Sequence, residues 1–259
     1  MNQNKSIELY FDFVDSLLEA NYNYIVFNLS ILYFRKQALG INFKNIVWER
    51  LLSLSHKVNI FIPSFTFFDD REKVFDILHT RPTLGWLNDK AFKEYQKNFE
   101  SQYIARTPSC IHSFISLGIL DSKVSDSISP FHSFGKFSIW NYFNNDRGLW
   151  CEIGTNPNNS FSLIHDCEMS AKVPYRENID FNVQYIDNNN ISTHAKYYYF
   201  ARKREISSEF NYNKILTLPQ IRSQNMISEI DPNSYIYEYK FLHQLIKNQL
   251  ITNPKFLFK

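Results

Sequence analysis

Ser160–Arg176 reads SFSLIHDCEMSAKVPYR. A short apolar run ends in His165, Glu168 follows three residues later, and a loop with Pro174 leads into Tyr175-Arg176. Residues three apart share a helix face, so on a helix Ser162, His165 and Glu168 form one row. A carboxylate beside an imidazole fixes the ring tautomer and stabilises the charge formed when the ring takes a proton. That is the minimum apparatus of a general base, and it suits removing a proton from an attacking amine. The same spacing also arises on ordinary solvated helix faces. It would serve as half of a metal site too, but no second such pair completes one. A Cys–His hydrolase is a weaker reading, because Cys167 follows His165 by two residues and falls on another helix face.

Around this stretch the pattern mixes strands and helices. IELYFDFVDSLLEA at 7–20 places apolar residues at helical spacing, and NYIVF at 23–27 reads as a buried strand. NIFIPSFTF at 59–67 reads as a second strand, stopped or kinked by Pro63. Pro82 and Gly85 mark a turn, Asn88 or Asp89 offers a helix cap, and Phe92, Tyr95, Phe99 and Tyr103 make one apolar stripe. The spacing predicts a short helix over 110–121, a loop over 127–138 and a central strand over 148–155. A hairpin follows over 180–204 with a DNNN turn, and the last element is a helix, EYKFLHQLIKNQL, ending before Asn253-Pro254. The intermixing implies α/β or α+β, and no linker divides the 259 residues, so one domain is expected.

Composition narrows the class. Hydrophobic residues are 44% and charged residues 21%, ordinary for a globular protein, while aromatics at 17% imply a core of Phe and Tyr. Six glycines argue against a glycine-rich phosphate loop. A net charge of +2, with ARKRE at 201–205 as the densest basic cluster, is too mild for a nucleic-acid binder. No apolar run approaches membrane-span length, and the N-terminus lacks the basic start and apolar centre of a secretory signal, so a cytoplasmic protein is expected. Cys110, Cys151 and Cys167 do not have zinc-site spacing, and the default is three reduced, mostly buried thiols.

Further motifs keep company with the His165 row. Pro63-Ser64-Phe65-Thr66 closes a strand, and Phe75-Asp76, Pro82-Thr83 and Gly85 follow. Then come Arg106-Thr107, Ser113-Phe114 and Gly118, Phe134-Gly135 with Ser138, and Ile153-Gly154. With Ser162, His165 and Glu168 and with Pro174-Tyr175-Arg176, their order resembles the aminoglycoside 3-N-acetyltransferase family, the acetyl-CoA-dependent antibiotic N-acetyltransferases that are distinct from the GNAT fold. The resemblance is clearest over 20–176, with 177–259 supplying the hairpin and C-terminal helix. It departs at Ser109-Cys110, where the family has His-Pro or Asp-Pro, and at FNLS (27–30), which lacks the histidine of the family's His-Ser-Ser segment. Ser162 stands where the family has Thr and keeps the hydroxyl.

The resemblance implies an α/β fold over 1–259 in a single acyltransferase domain, with a mixed central sheet flanked by helices. It implies acyl transfer from acetyl-CoA, the acyl donor, to an amine. His165 is then the base, Glu168 its orienting carboxylate, and Ser162 an oxyanion donor. Arg106, Thr107, Ser113 and Ser30 would hold the cofactor, and Asp76, Phe134 and Ser138 the acceptor. The plainer readings are a helix C-terminal cation for Arg106 and a turn aspartate for Asp76. The mildly basic balance favours a nucleotide-linked amino sugar of surface-polysaccharide synthesis over a polycationic aminoglycoside. Antibiotic resistance is the alternative, and a degenerate, non-catalytic binding relative is another. The partners expected are the amino sugar and acetyl-CoA, with no nucleic acid and no membrane; a homodimer stays open.

Overall fold

Alternate residues of the central strands go to opposite cores. In β1 (Tyr24–Leu29), Ile25 and Phe27 join one apolar cluster, while Tyr24 and Val26 join another. Ile60 and Ile62 of β2 (Asn59–Pro63) follow the first pair, and Phe61 follows the second. This period of two, with both faces buried, is what a strand sandwiched between helix layers requires. The computed structural model describes residues 4–30, 43–67, 73–83, 85–119, 122–206, 209–227, 229, 231 and 233–259.

The remaining strands are β3 (Val74–Asp76), β4 (Ile104–Arg106), β5 (Phe114–Leu117), β6 (Gly148–Ile153), β7 (Arg176–Ile186), β8 (Ser192–Arg202) and β9 (Tyr235–Glu238). Together with β1 and β2, four of these form a six-stranded mixed sheet in the order β4-β5-β2-β1-β6-β9. β1 runs parallel to both β2 and β6, while β5 and β9 pair antiparallel on either side of that trio. β3, β7 and β8 make a second sheet, in which the long hairpin β7–β8 pairs Arg176 with Arg202 and Ile186 with Ser192.

On one face of the large sheet lie α1 (Asn4–Leu17), α2 (Phe43–Ser55) and α3 (Trp86–Asn98). On the other lie α4 (Ile139–Asn145), α5 (Leu163–Ser170) and α6 (Tyr239–Thr252). The fold class is therefore α/β with a mixed sheet flanked by helices. The aromatic excess is spent in the second core, where Trp140, Trp150, Tyr24, Phe143 and Tyr239 meet at centroid distances of 4.8 to 6.1 Å. Gly148 stands at the start of β6 because a Cβ there would come within 2.2 Å of the Tyr24 ring. Among the described residues, no helix is long and apolar enough to cross a membrane.

Three local expectations are corrected. The short helix over 110–121 is instead the strand β5, paired antiparallel with β2 from Pro63↔Phe114 to Ile60↔Leu117; residues 120 and 121 lie outside the described residues. A four-residue apolar run carries no period of its own, so its pairing partner decides its form. α3 begins at Trp86 with Gly85 in the capping position, and Asn88 turns its amide onto Pro63 O instead of capping. The stripe also breaks: Phe92 and Tyr95 are buried in α3, Phe99 is exposed, and Tyr103 leaves the helix to pack on His56.

Candidate active site

The parallel strands β1, β2 and β6 end on one side of the sheet, and ligand clefts form outside such carboxyl ends. Here a cleft of about 300 Å³ opens there. Asn28 and Leu29 come from the end of β1, Pro63 and Phe65 from the end of β2, and Thr155 to Ser162 from the turn after β6. Leu87 and Asn88 of α3, with Tyr199 and Tyr212, close the other walls.

His165 enters this cleft from the first turn of α5. Its Nδ1 lies 2.8 Å from Glu168 Oε2, and a quarter of the side chain (24%) stays open. Glu168 is fully buried and also takes the Tyr175 hydroxyl on Oε1 at 3.0 Å. Arg176 Nε lies 2.5 Å from Glu168 Oε2, and its Nη2 lies 2.9 Å from His165 Nδ1. Glu168 only accepts and Arg176 only donates, so the two make opposite demands on Nδ1. The closer, ionised carboxylate takes the Nδ1 proton, Arg176 is left paired with Glu168, and Nε2 keeps a bare lone pair. Burial holds the His165 pKa below its ordinary value and Arg176 pushes the same way, against the opposing pull of Glu168. The ring is thus neutral near pH 7, held by its carboxylate and partly open to the cleft, the state in which an imidazole can accept a proton.

Ser162 sits at the N-cap of α5 in helical conformation (φ −65°, ψ −22°), so the row of three survives although the helix begins one residue later. Its hydroxyl oxygen is buried without a partner on the wall of the cleft.

The other expected residues do not line the cleft. Arg106 ends β4, not a helix, and is 4% exposed. Its guanidinium donates to Ile77 O (3.0 Å), Thr80 O (2.7 Å), Ser64 O (3.2 Å) and Ser113 Oγ (3.2 Å), between the Phe75 and Phe92 rings. Burial lowers its pKa to about 10, still charged at neutral pH. Thr107 Oγ1 accepts the Phe114 N–H (2.8 Å), and Ser113 Oγ donates to Ser64 O (2.6 Å). These three residues tie β4 and β5 to the segment after β2. Arg106→Lys should therefore lower stability by about 1–3 kcal/mol, because a single ammonium cannot serve the carbonyls that the fork serves. Thermal unfolding measures the loss.

Ser30 follows β1 and donates its backbone N–H to Ile153 O at 3.0 Å. Asp76 caps the turn after β3, accepting the Leu78 and His79 N–H groups at 2.9 and 3.0 Å. Ser138 starts α4 with its hydroxyl on Gly135 O. Phe134 is buried beneath the cleft, edge-on to His165 at 6.4 Å and stacked on Trp140 at 5.7 Å. Cys167 is sealed, its thiol pushed well above the usual range by burial and its Sγ turned to His243 O, so it is no nucleophile for this cleft. Cys110 and Cys151 are likewise free and buried.

Two residues of this region went unnoticed in the sequence. Glu152 is a lone acid in an apolar strand, buried beneath the cleft. It accepts from Asn28 Nδ2 (3.0 Å), Trp150 Nε1 (2.8 Å) and the Thr155 hydroxyl, while burial lifts its pKa to about 7. His112 lines the cleft between Arg106-Thr107 and Ser113-Phe114 in the chain, and those flanking motifs were the available signal.

No family model matches the sequence, and no curated protein matches it. Solved structures do match in three dimensions. An aminoglycoside acetyltransferase AAC-VIa bound to sisomicin superposes with a TM-score of 0.69 at 11% identity, covering 97% of this chain and 98% of that one. AAC-IIIb in a binary complex with CoASH gives 0.66 at 11% identity, covering 93% and 95%. The apoenzyme of aminoglycoside acetyltransferase AAC(3)-IVa gives 0.64 at 14% identity, covering 95% and 89%. Over nearly its whole length the chain has the fold of these aminoglycoside acetyltransferase structures.

Proposed function

We propose that this protein is an acetyl-CoA-dependent N-acetyltransferase acting on the amino group of an amino sugar. The observation that carries the reading is His165, neutral and held by buried Glu168 with Nε2 free, beside a cleft at the strand ends. An amine attacks a thioester only when uncharged, and the nitrogen that attacks must shed a proton. In the reading, His165 Nε2 takes that proton as the N–C bond forms, and Glu168 stabilises the imidazolium. The C–S bond breaks with its electron pair leaving on the thiolate. Ser162 Oγ, which has no protein partner, is the hydroxyl available to the developing oxyanion.

The cleft suits the pantetheine arm of the donor. Phe27, Phe65, Phe67 and Leu87 give apolar walls, and Asn28, Asn88, Asn158 and Asn159 offer amide groups to a slender chain that itself carries amides. The described lining contains no Lys, Arg, Asp or Glu. A sugar ring bearing hydroxyls and one reacting amine fits such a surface. CoA and sisomicin in the matching structures make acetyl-CoA with aminoglycosides the first pair to test. The test is thiol release from acetyl-CoA over a panel of aminoglycosides, free amino sugars and nucleotide-linked amino sugars. Release with none of them, together with no calorimetric binding of acetyl-CoA, would leave a binding relative.

Acidity should discriminate as well. Because the His165 pKa lies below the ordinary imidazole value, the neutral base persists as pH falls through that value and is lost only further down. The acid limb of kcat, measured with saturating acceptor, should therefore turn below about pH 6.5. A limb above that value that does not move with the pKa of the acceptor amine would place a different group in the role.

A further inference from the structure

We propose that His112 is a second catalytic imidazole, opposite in polarity to His165: it donates an N–H from Nε2 to the thioester carbonyl oxygen as negative charge develops there. This rests on the acyl-transfer reading above. His112 lines the same cleft, yet only 3% of it is exposed. Its ring is clamped by Phe134 at 4.7 Å, Phe65 at 5.0 Å and Tyr199 at 6.0 Å. Nδ1 is sealed among these groups with no hydrogen-bond partner among the described residues.

A neutral imidazole carries one N–H and one lone pair. An N–H buried without an acceptor is the costlier group to strand, so the proton belongs on the other nitrogen, the one left to the cleft. Burial, reinforced by the Arg176 charge and by any charge His165 takes on at lower pH, drives the His112 pKa down to about 3, so the ring stays neutral through the physiological range. In His165 the carboxylate of Glu168 draws the proton to Nδ1 and leaves Nε2 as acceptor. The cleft thus holds one imidazole that accepts and one that donates. Acyl transfer to an amine needs that division: a base for the attacking nitrogen and a fixed donor for the oxygen that becomes negative. A neutral donor suits the second task, since it gives a hydrogen bond without surrendering its proton to His165.

The test combines a spectrum with kinetics. In protein labelled with ¹⁵N-histidine, long-range proton–nitrogen correlation should show His112 as the neutral Nε2–H tautomer throughout about pH 5 to 9, with His165 as Nδ1–H. Loss of the signal in His112→Phe assigns it. An Nδ1–H tautomer, or titration of His112 within that window, overturns the proposal. In turnover, His112→Phe keeps the aromatic packing and should lower kcat by about 10²–10³-fold with little change in the KM for acetyl-CoA. His112→Gln can return an N–H near the Nε2 position and should recover at least about tenfold of that loss. An active wild type with an unimpaired His112→Phe defeats this proposal alone. A wild type that acetylates no amine defeats it together with the acyl-transfer reading.

Discussion

His165→Ala should lower kcat by about 10²–10⁴-fold while leaving acetyl-CoA binding within a few-fold of the wild type. The size follows from what the ring does in the site. Among the described residues it is the one side chain on the cleft with a free lone pair whose basicity suits neutral pH: His112 is driven too low, and Glu168 is spent on Tyr175 and Arg176. The small effect on binding follows from position. His165 stands at one wall, and the apolar and amide surfaces that would grip pantetheine lie along β1, β2 and α3. Thiol-release kinetics and calorimetry with CoA give the two quantities. A variant that loses both together would make His165 a strut of the cleft, because truncating a base should not remove affinity for a donor it does not hold. Raising pH should rescue part of the lost rate, since a larger fraction of the acceptor is then already uncharged.

Legibility in the sequence tracks how local each feature is. The row Ser162, His165 and Glu168 was readable because helix geometry alone brings residues three apart together. β1 and β2 were readable as short apolar stretches, and the β7–β8 hairpin from its DNNN turn. β5 was not, since Phe114–Leu117 is buried on both faces and only β2 and β4 beside it make it a strand. The motif matches placed Arg106, Thr107 and Ser113 in the right neighbourhood but gave no direction for their side chains. All three turn inward, because an arginine at the end of a short edge strand can satisfy three carbonyls there. Arg176 shows the converse. It stood in the motif as the residue after Tyr175, yet its ion pair with Glu168 depends on the chain reversing after α5 to start β7. Glu152 and His112 lay beyond reach for a related reason: their significance comes from burial beside a cleft that seven separate stretches of the chain build.

Glu168→Gln should cost stability as well as rate, and the loss of stability is the larger surprise for a substitution that changes so few atoms. From sequence, the glutamate aims a histidine, and its amide replacement should be milder than removing the ring. The structure adds a load. Glu168 receives His165, Arg176 and Tyr175, with no exposure of its own, and the Arg176 side chain is only 7% exposed. An amide offers one oxygen where the carboxylate offered two; with that oxygen kept toward His165 and Arg176, its NH₂ meets the Tyr175 hydroxyl, which must then turn and accept. Arg176 keeps one backbone acceptor, Phe200 O at 3.2 Å, but loses its counter-charge in the interior. Stranding a buried cation in this way costs about 3–5 kcal/mol, which for a chain of this size lowers Tm by roughly 10 °C. Adding Arg176→Met should restore much of the stability, since no unpaired charge then remains, without restoring turnover. Rate behaves differently. With the tautomer no longer fixed, kcat should fall, but the pair acts as a unit, so His165→Ala combined with Glu168→Gln should be no slower than His165→Ala alone. Additive losses in the double variant would show that Glu168 contributes to catalysis by some route other than the imidazole it touches.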